Sequence, residues 1–372
     1  MAAAREGPHG SVNVPATHRR LDLLDAPAGA LEALLAELDP RPYRLQQVRH
    51  WLLRRLATGP EEMSDLPKPL RAALAERTVV SQPTVVEEQR AADGTVKVAL
   101  AYADGAVVEA VAMPGEGRTT LCLSSQTGCA VGCTFCVTGA LGAGRNLSGG
   151  EIFAQYRTLV RREGLLGSPL NVVFMGMGEP LLNPAGVGAA LEFLAETVSP
   201  KRITVSTSGI LPGLAWLAQL PRRPNLAVSL NATTQAQRAA LMPTAARWPM
   251  EALLEALRRF PLERGRRITV EYVLIGGIND TLADAARLPR LLAGIPVKVN
   301  LIPFNADATY LPHLEAPSEA QVDAFAGVLA AARLNVTVRW SRGREISGAC
   351  GQLRGRRAPA PAAPGIVRLH GA

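Results

Sequence analysis

The feature that most constrains this chain is the placement of its five cysteines. Cys129, Cys133 and Cys136 follow one another at the spacing C-x3-C-x2-C, whereas Cys122 lies just before them and Cys350 near the other end of the chain. Because the start of the chain does not resemble a secretory leader, we expect a reducing compartment, where cysteines are more often ligands or catalysts than disulfides. The fold must therefore bring three thiols together in one short loop.

The three clustered cysteines predict an iron-sulfur site. A structural zinc site is normally closed by a fourth Cys or His at a motif spacing, and the next histidine along this chain is His313. A 4Fe-4S cluster held by three cysteines instead leaves one iron open to a substrate, and thiolates are the ligands that such clusters prefer. From the residues alone, zinc stays the alternative.

The composition is typical of a globular protein with an anionic partner. Hydrophobic residues make up 48% of the 372 residues and charged residues 19%, so the chain can bury a core. No apolar run reaches the roughly 18 residues that cross a bilayer, and we expect a cytoplasmic protein with no membrane partner. The net charge of +8 favours RNA or another polyanion, although a GC-rich genome would also enrich arginine.

The pattern of elements divides the chain into five segments. They are a flexible N-terminus (1–20), a helical accessory domain that docks RNA (21–82), an antiparallel β element (83–114), an α/β core (115–353) and a basic tail rich in Pro and Ala (354–372). The second predicted helix has a basic side, which suits either solvent or RNA phosphates. That side carries Arg44, Arg49, Arg54 and Arg55, with Arg41 just ahead.

Within the core segment, strand-like stretches alternate with helix-like ones. Six apolar strands interleaved with helices predict an α/β fold with a parallel sheet, either open or curled into a partial barrel. The chemistry of such folds lies at the carboxyl ends of the strands. Polar loops follow four of the strands at that edge, within residues 176–180, 206–209, 229–231 and 303–305. We expect these loops and the cysteine loop to form one site.

Five further motifs complete the pattern. They are TLCLSSQTGC (120–129), GMGEPLLN (176–183), LAVSL (226–230), LMP (241–243) and ACGQL (349–353). With the cysteine spacing, they resemble the radical S-adenosylmethionine (SAM) superfamily. The resemblance is closer still to the bacterial dual-specificity methyltransferases that modify adenine C2 in 23S rRNA and in tRNA. A sister family that methylates adenine C8 shares most of these motifs and remains an alternative.

The resemblance implies a fold, cofactors and partners. The fold is a partial parallel (β/α)6 radical SAM barrel, with a 4Fe-4S cluster on Cys129, Cys133 and Cys136 and SAM on its open iron. Two SAM molecules are consumed per methyl group added. The partners are 23S rRNA, tRNA and an electron donor such as a flavodoxin-like reductant, and the protein is expected to be a monomer. The residues implied to contact SAM are Gly178, Glu179, Ser206, Ser229, Leu230, Asn231 and Asn305.

The resemblance also implies catalytic roles for Cys350, Cys122 and Glu109. Adenine C2 is electron-poor, so direct attack on the SAM methyl is a poor route and a carrier is needed; Cys350 matches the methyl-carrying cysteine. Cys122 matches the resolving cysteine, which takes the C2 proton and forms a disulfide with Cys350 to release the RNA. Glu109 matches an acid-base residue at the target adenine.

Two departures from the family pattern are visible. Asn231 stands where histidine is common, so a donor remains but the titratable ring is lost. Residues 342–347 are more basic than the corresponding segment of relatives, whereas the ACGQL motif is unchanged.

A function of a different class remains as an alternative. The chain could be an RNA-binding protein with a structural metal site and no catalysis, but that function would leave the pairing of Cys122 with Cys350 unexplained.

Overall fold

The computed structural model describes residues 20–355. The expected flexible N-terminus and the basic tail lie almost entirely outside this range. None of the helices between residues 20 and 355 has the length and apolar character that a bilayer crossing requires.

The first part of the described chain is a small helical unit. Its helices pack leucine and valine side chains, among them Leu35, Val48 and Leu74, into a shared core, and its two short strands pair in parallel. The elements are β1 (Leu21–Asp22), α1 (Ala30–Leu38), α2 (Tyr43–Leu53), α3 (Lys68–Arg77) and β2 (Thr78–Val79).

The basic side of α2 differs in part from the expectation. Arg44 is buried, because its guanidinium pairs with Asp39 at 2.7 Å and also donates to Gln47. Arg54 pairs with Glu196 at 3.2 Å. Of the α2 arginines, Arg44 therefore stabilises the fold and is not available to RNA phosphates.

Three antiparallel strands follow, as the alternating pattern predicts. They are β3 (Thr84–Arg90), β4 (Val96–Ala101) and β5 (Val107–Gly115). Gly94 and Gly105 have a φ of 80° at the two turns, a conformation that glycine adopts at no steric cost. β5 also pairs with β6 (Arg118–Cys122), so these strands continue directly into the main sheet.

The ten-stranded sheet runs in the order β12-β11-β10-β9-β8-β7-β6-β5-β4-β3, and the strands from β6 to β12 are parallel. The six expected parallel strands are present, and β6 precedes them as a strand that the sequence pattern did not predict. Those six are β7 (Leu170–Phe174), β8 (Ile203–Thr207), β9 (Asn225–Ser229), β10 (Ile268–Leu274), β11 (Val297–Pro303) and β12 (Val336–Val338).

Helices alternate with these strands, as a parallel sheet requires. The helix at Gly149–Arg162 begins with a capping box, in which Ser148 and Glu151 satisfy each other's backbone N–H groups. The sheet is buried between its covering helices, and Val172, Val205 and Val299 are completely inaccessible. The helices are α4 (Val137–Ala140), α5 (Gly149–Arg162), α6 (Pro184–Leu194), α7 (Leu211–Gln219), α8 (Gln235–Leu241), α9 (Met250–Arg258), α10 (Leu282–Leu291) and α11 (Glu319–Ala331).

Candidate active site

The cysteine loop lies between β6 and α4, at the carboxyl edge of the parallel strands. Cys129, Cys133 and Cys136 all line one cavity of ≈ 160 Å³. Gly139 of α4 packs directly on this loop, since a Cβ there would lie 2.7 Å from the carbonyl oxygen of Cys133. The loop is also tied to α8, because the Thr134 N–H donates to the Leu241 carbonyl at 3.0 Å. The structure thus places the three clustered cysteines on the wall of one cavity.

The donor set fits an iron-sulfur cluster. Burial raises the pKa of the Cys129 thiol to about 12. Burial also raises the pKa of Cys133, with the neighbouring Cys136 and Cys129 as further causes. Thiols in such surroundings stay protonated near neutral pH, and a bound metal favours their ionised form. Within residues 20–355, no three His, Cys, Asp or Glu side chains converge on a point where a single metal ion would sit. An iron-sulfur cluster requires a different arrangement, because each thiolate binds a different iron atom.

Glu179 is a buried carboxylate on the same cavity wall. Its Oε2 accepts hydrogen bonds from the backbone N–H and the hydroxyl of Ser208, at 2.7 and 2.8 Å, and its Oε1 accepts from Leu181 N–H. Burial raises the pKa of Glu179, and these hydrogen bonds oppose the shift. Gly178 beside it has a φ of 98°, and a Cβ there would lie 2.7 Å from the Gln126 nitrogen. The carboxylate is therefore held rigidly, and a carboxylate is suited to an ammonium group.

Most of the other predicted SAM contacts line this cavity as well. Ser206 donates its hydroxyl to Glu271 at 2.9 Å, and Ser229 follows on the next strand. Asn305 donates to the Cys350 carbonyl at 3.2 Å and to the Ser341 hydroxyl at 2.9 Å. Leu230 is the exception, because its side chain is buried in the main core and does not line the cavity.

Asn231 stands at a strained position on the cavity wall. Its φ is 53°, in the left-handed region that asparagine tolerates better than most residues. Its side-chain oxygen accepts from Val273 N–H at 2.8 Å, and its carbonyl accepts from the Asn279 amide at 2.9 Å. The side chain thus joins the end of β9 to β10.

Glu271 is a cavity residue that the sequence analysis missed. It lies on β10, is buried, and faces the same cavity as the three clustered cysteines. Its Oε1 has no hydrogen-bond partner among the described residues, and burial raises its pKa. The sequence did contain a signal for this residue, since Glu271 is the single carboxylate in the otherwise apolar strand ITVEYVL. Ionisable residues are rarely buried without a functional or structural reason.

Cys122 and Cys350 meet at a second cavity of ≈ 260 Å³. Cys122 is buried at the end of β6, whereas Cys350 is exposed and lines both this cavity and the one that holds the clustered cysteines. Although part of the residue is exposed, the cavity wall encloses its thiol, and this burial, with the charge of Glu271 as a second cause, raises the pKa of Cys350 to about 11. Burial raises the pKa of Cys122, and the charge of Cys350 adds to that shift. The two cysteines are separated by most of the sequence but interact in the fold.

Glu109 lies on β5, outside the walls of both cavities. Its Oε1 pairs with the Lys97 ammonium at 3.3 Å, and both side chains are buried. Its Oε2 accepts from Arg354 N–H at 2.8 Å, and Lys97 also donates to the Ser347 carbonyl at 3.3 Å. These contacts hold both flanks of the Cys350 loop. The expected acid-base role at the target adenine stays a prediction.

Comparisons with known proteins identify the family of this chain. Residues 21–80 match the family model described as the ribosomal RNA large subunit methyltransferase N-terminal domain, and residues 123–288 match that of the radical SAM superfamily. The dual-specificity RNA methyltransferase RlmN of Anaeromyxobacter sp. (strain Fw109-5) is 48% identical over 96% of this chain and 98% of its own. This chain belongs to the RlmN family. A probable RlmN of Thermus thermophilus is 44% identical over 87% of this chain and 92% of its own.

Structural similarity extends the match to the fold. The crystal structure of a radical SAM methyltransferase from Sphaerobacter thermophilus has a TM-score of 0.84 and 43% identity, and it covers 90% of this chain and 99% of that one. The expected radical SAM fold is therefore confirmed. As a member of the RlmN family, the chain is an enzyme that uses a 4Fe-4S cluster and SAM, so a non-catalytic RNA-binding protein with a structural metal is not supported.

Proposed function

We propose that this enzyme methylates C2 of adenine in 23S rRNA and in tRNA, with Cys350 as the methyl carrier and Cys122 as the resolving thiol. The names of its relatives, which describe dual-specificity RNA methyltransferases, support the RNA substrate. The observation that carries the thiol roles is that Cys350 lines both cavities, one with the clustered cysteines and one with Cys122. A carrier must reach both its methyl donor and its acceptor, and a residue on a shared wall can do so.

The proposed site residues divide by function. Cys129, Cys133 and Cys136 would hold the cluster, and Glu179 would accept the SAM ammonium. The hydroxyl and amide groups of the other predicted SAM contacts would orient the rest of the molecule. When bound, the cluster and SAM supply the methyl group and the radical that activates it, and two SAM molecules are consumed per methyl group added. The raised pKa of Cys350 means that this thiol must lose its proton as it accepts the methyl group.

The two thiols then release the product. Once the carrier carbon is bonded to adenine C2, the RNA is tethered to the Cys350 sulfur. The adduct first gives up its unpaired electron to the enzyme's one-electron redox partner. Cys122, as a thiolate, then takes the C2 proton and passes it to the carrier carbon. Its sulfur bonds to the Cys350 sulfur as the carbon–sulfur bond breaks, and the electron pair of that bond stays with the carbon, which leaves with the base as a methyl group. The resulting disulfide must be reduced by two electrons before the next turnover, which a reducing cytoplasm would supply.

The proposed reaction needs an RNA substrate and a source of electrons. We expect a flavodoxin-like electron donor, a monomeric protein in the cytoplasm, and RNA docking through the accessory domain (21–82). Exposed Arg49 and Arg55 support that docking, because both remain accessible where Arg44 is buried. The target adenine must be unpaired or flipped out, since C2 of a paired base is enclosed in the helix.

Mass spectrometry of RNA nucleosides tests the proposal. The anaerobic enzyme, with its cluster reconstituted, is incubated with SAM, a reductant and unmodified RNA. We expect 2-methyladenosine from the wild type, none from Cys350→Ala, and RNA covalently trapped on Cys122→Ala. If the product is 8-methyladenosine, the carrier chemistry still holds, but the target atom is C8, as in the sister family. Absence of any methylated adenine from enzyme with a full cluster would overturn the proposal.

A further inference from the structure

The second cavity has walls that suit a nucleobase. Met113, Met175 and Ile302 give it an apolar lining, and the two reactive cysteines lie on its wall. Its volume of ≈ 260 Å³ is close to the lower end of the roughly 300–1,000 Å³ typical of small-ligand pockets. The cavity is thus large enough for a compact planar group placed against Cys350.

Trp340 lies on the wall of this cavity with an unusually exposed ring. The residue is 50% exposed, although tryptophan is normally among the more buried side chains. It lies two residues beyond the end of β12, whose pairing with β11 is extended by a hydrogen bond from Arg339 N–H to the Leu301 carbonyl at 2.8 Å. The backbone beside Trp340 is therefore fixed at the carboxyl edge of the sheet, next to the site.

Two arginines flank Trp340 on the same wall, Arg339 and Arg342. Arg342 donates to the Pro114 carbonyl. The guanidinium of Arg339 takes part in no hydrogen bond or ion pair with any residue between 20 and 355, and the residue is exposed. A solvent-exposed arginine at the mouth of a cavity, with its donors free in that part of the chain, is suited to a phosphate group.

We propose that this cavity receives the target purine of the RNA, with the Trp340 indole stacked on the base and Arg339 bound to a neighbouring phosphate. An extruded base is normally recognised by stacking on aromatic side chains, and cations neutralise the adjoining backbone. The inference rests on the proposed function for the identity of the base. It adds the residues that hold the base against Cys350 and Cys122.

The test compares Trp340→Ala with Trp340→Phe, which retains an aromatic face. Stacking on one aromatic ring contributes roughly 1–3 kcal/mol per base, so we expect Trp340→Ala to raise the KM for an unmodified tRNA transcript by about 5- to 150-fold. Trp340→Phe should recover most of that loss. Methylation of Cys350 by SAM without RNA, measured from the mass of the intact protein, should be unchanged in both variants.

Tryptophan fluorescence gives a readout that does not require turnover. The chain has four tryptophans; if Trp340 stacks on the base, most of the quenching caused by the tRNA transcript should disappear in Trp340→Phe. Arg339→Gln should weaken binding and reduce the slope of log K against log salt by about 1, as expected for one lost phosphate contact.

The outcomes separate this inference from the proposed function. A Trp340→Ala enzyme with wild-type KM, or quenching that persists in Trp340→Phe, would overturn the stacking role. An unchanged salt slope in Arg339→Gln would overturn the phosphate contact. If the wild type forms neither methylated Cys350 nor methylated adenine, the proposed function fails instead, and the quenching experiment still tests whether RNA reaches Trp340.

Discussion

At the scale of single residues, Glu271 accepts fewer hydrogen bonds than Glu179, the other buried carboxylate of the site. One of its oxygens accepts from Ser206, whereas the other has no hydrogen-bond partner among the described residues. Its negative charge contributes to the raised pKa values of Cys350 and Cys122. Glu271 therefore opposes ionisation of the two thiols that the proposed chemistry uses.

Replacement of Glu271 by glutamine should shift the pH profile of Cys350. Glutamine keeps the shape but removes the charge, so the pKa of the Cys350 thiol should fall from its raised value of about 11 and alkylation should begin at lower pH. The rate of iodoacetamide labelling, followed by peptide mass spectrometry from pH 7 to about 10, measures this shift. Ser206→Ala is the matched control, because it removes a partner of Glu271 but keeps the charge. A profile that does not move in Glu271→Gln would contradict this electrostatic account.

Asn231 should be replaceable only at a cost in stability. Asn231→Ala loses the hydrogen bond to Val273 N–H, which leaves a half-buried donor unpaired, and puts a less tolerant residue at a φ of 53°. We expect a loss of about 1–3 kcal/mol in the free energy of unfolding. Asn231→Gly relieves the backbone strain but not the lost bond, so it should be intermediate in a denaturant titration. If both variants are as stable as the wild type, the bond to Val273 contributes nothing.

At the scale of elements, the antiparallel strands support the loop that carries Cys350. The buried pair of Lys97 on β4 and Glu109 on β5 contacts Ser347 and Arg354, on either side of that cysteine. α4 holds the same loop from the cluster side, since Val137 N–H donates to the Gly351 carbonyl at 2.7 Å. The loop that carries Cys350 is thus held between α4 on one side and β4 and β5 on the other.

Loss of Lys97 should loosen this loop. Lys97→Met leaves Glu109 buried without its cation, and breaking a buried ion pair typically costs about 3–5 kcal/mol. Hydrogen exchange should show lower protection across residues 347–354, with a smaller change in the central parallel strands. The double variant Lys97→Met with Glu109→Gln removes both charges and should regain part of the lost stability. Equal loop protection in Lys97→Met and wild type would rule out the supporting role.

The same elements show what the sequence could predict. The antiparallel β element expected at 83–114 corresponds to β3, β4 and β5, because its alternation and its two Asp-Gly turns are local signals. The sequence did not predict that these strands continue the main sheet, since β6 is only five residues long and merges with the cysteine loop. Nor could alternation show that Lys97 is buried, because that burial comes from a segment about 250 positions away.

At the scale of the whole molecule, two cavities meet at Cys350. The motifs predicted which residues gather at the carboxyl edge of the sheet, since the ends of parallel strands lie along one edge. They did not predict that two separate cavities would form, or that Trp340 would line the second one. That division depends on where the C-terminal loop crosses the site, and the path of a loop is set by long-range contacts rather than by local pattern.

The central claim is that the methyl group reaches adenine through Cys350, and a pulse-chase experiment tests it most directly. The enzyme is first incubated with SAM that carries an isotopically labelled methyl group, freed of unbound SAM, and then given unlabelled SAM, reductant and unmodified RNA for a single turnover. The account predicts that label found on Cys350 before the chase appears in the methyl group of the first-turnover adenine. First-turnover product that contains only unlabelled methyl, with the label still on Cys350, would contradict it.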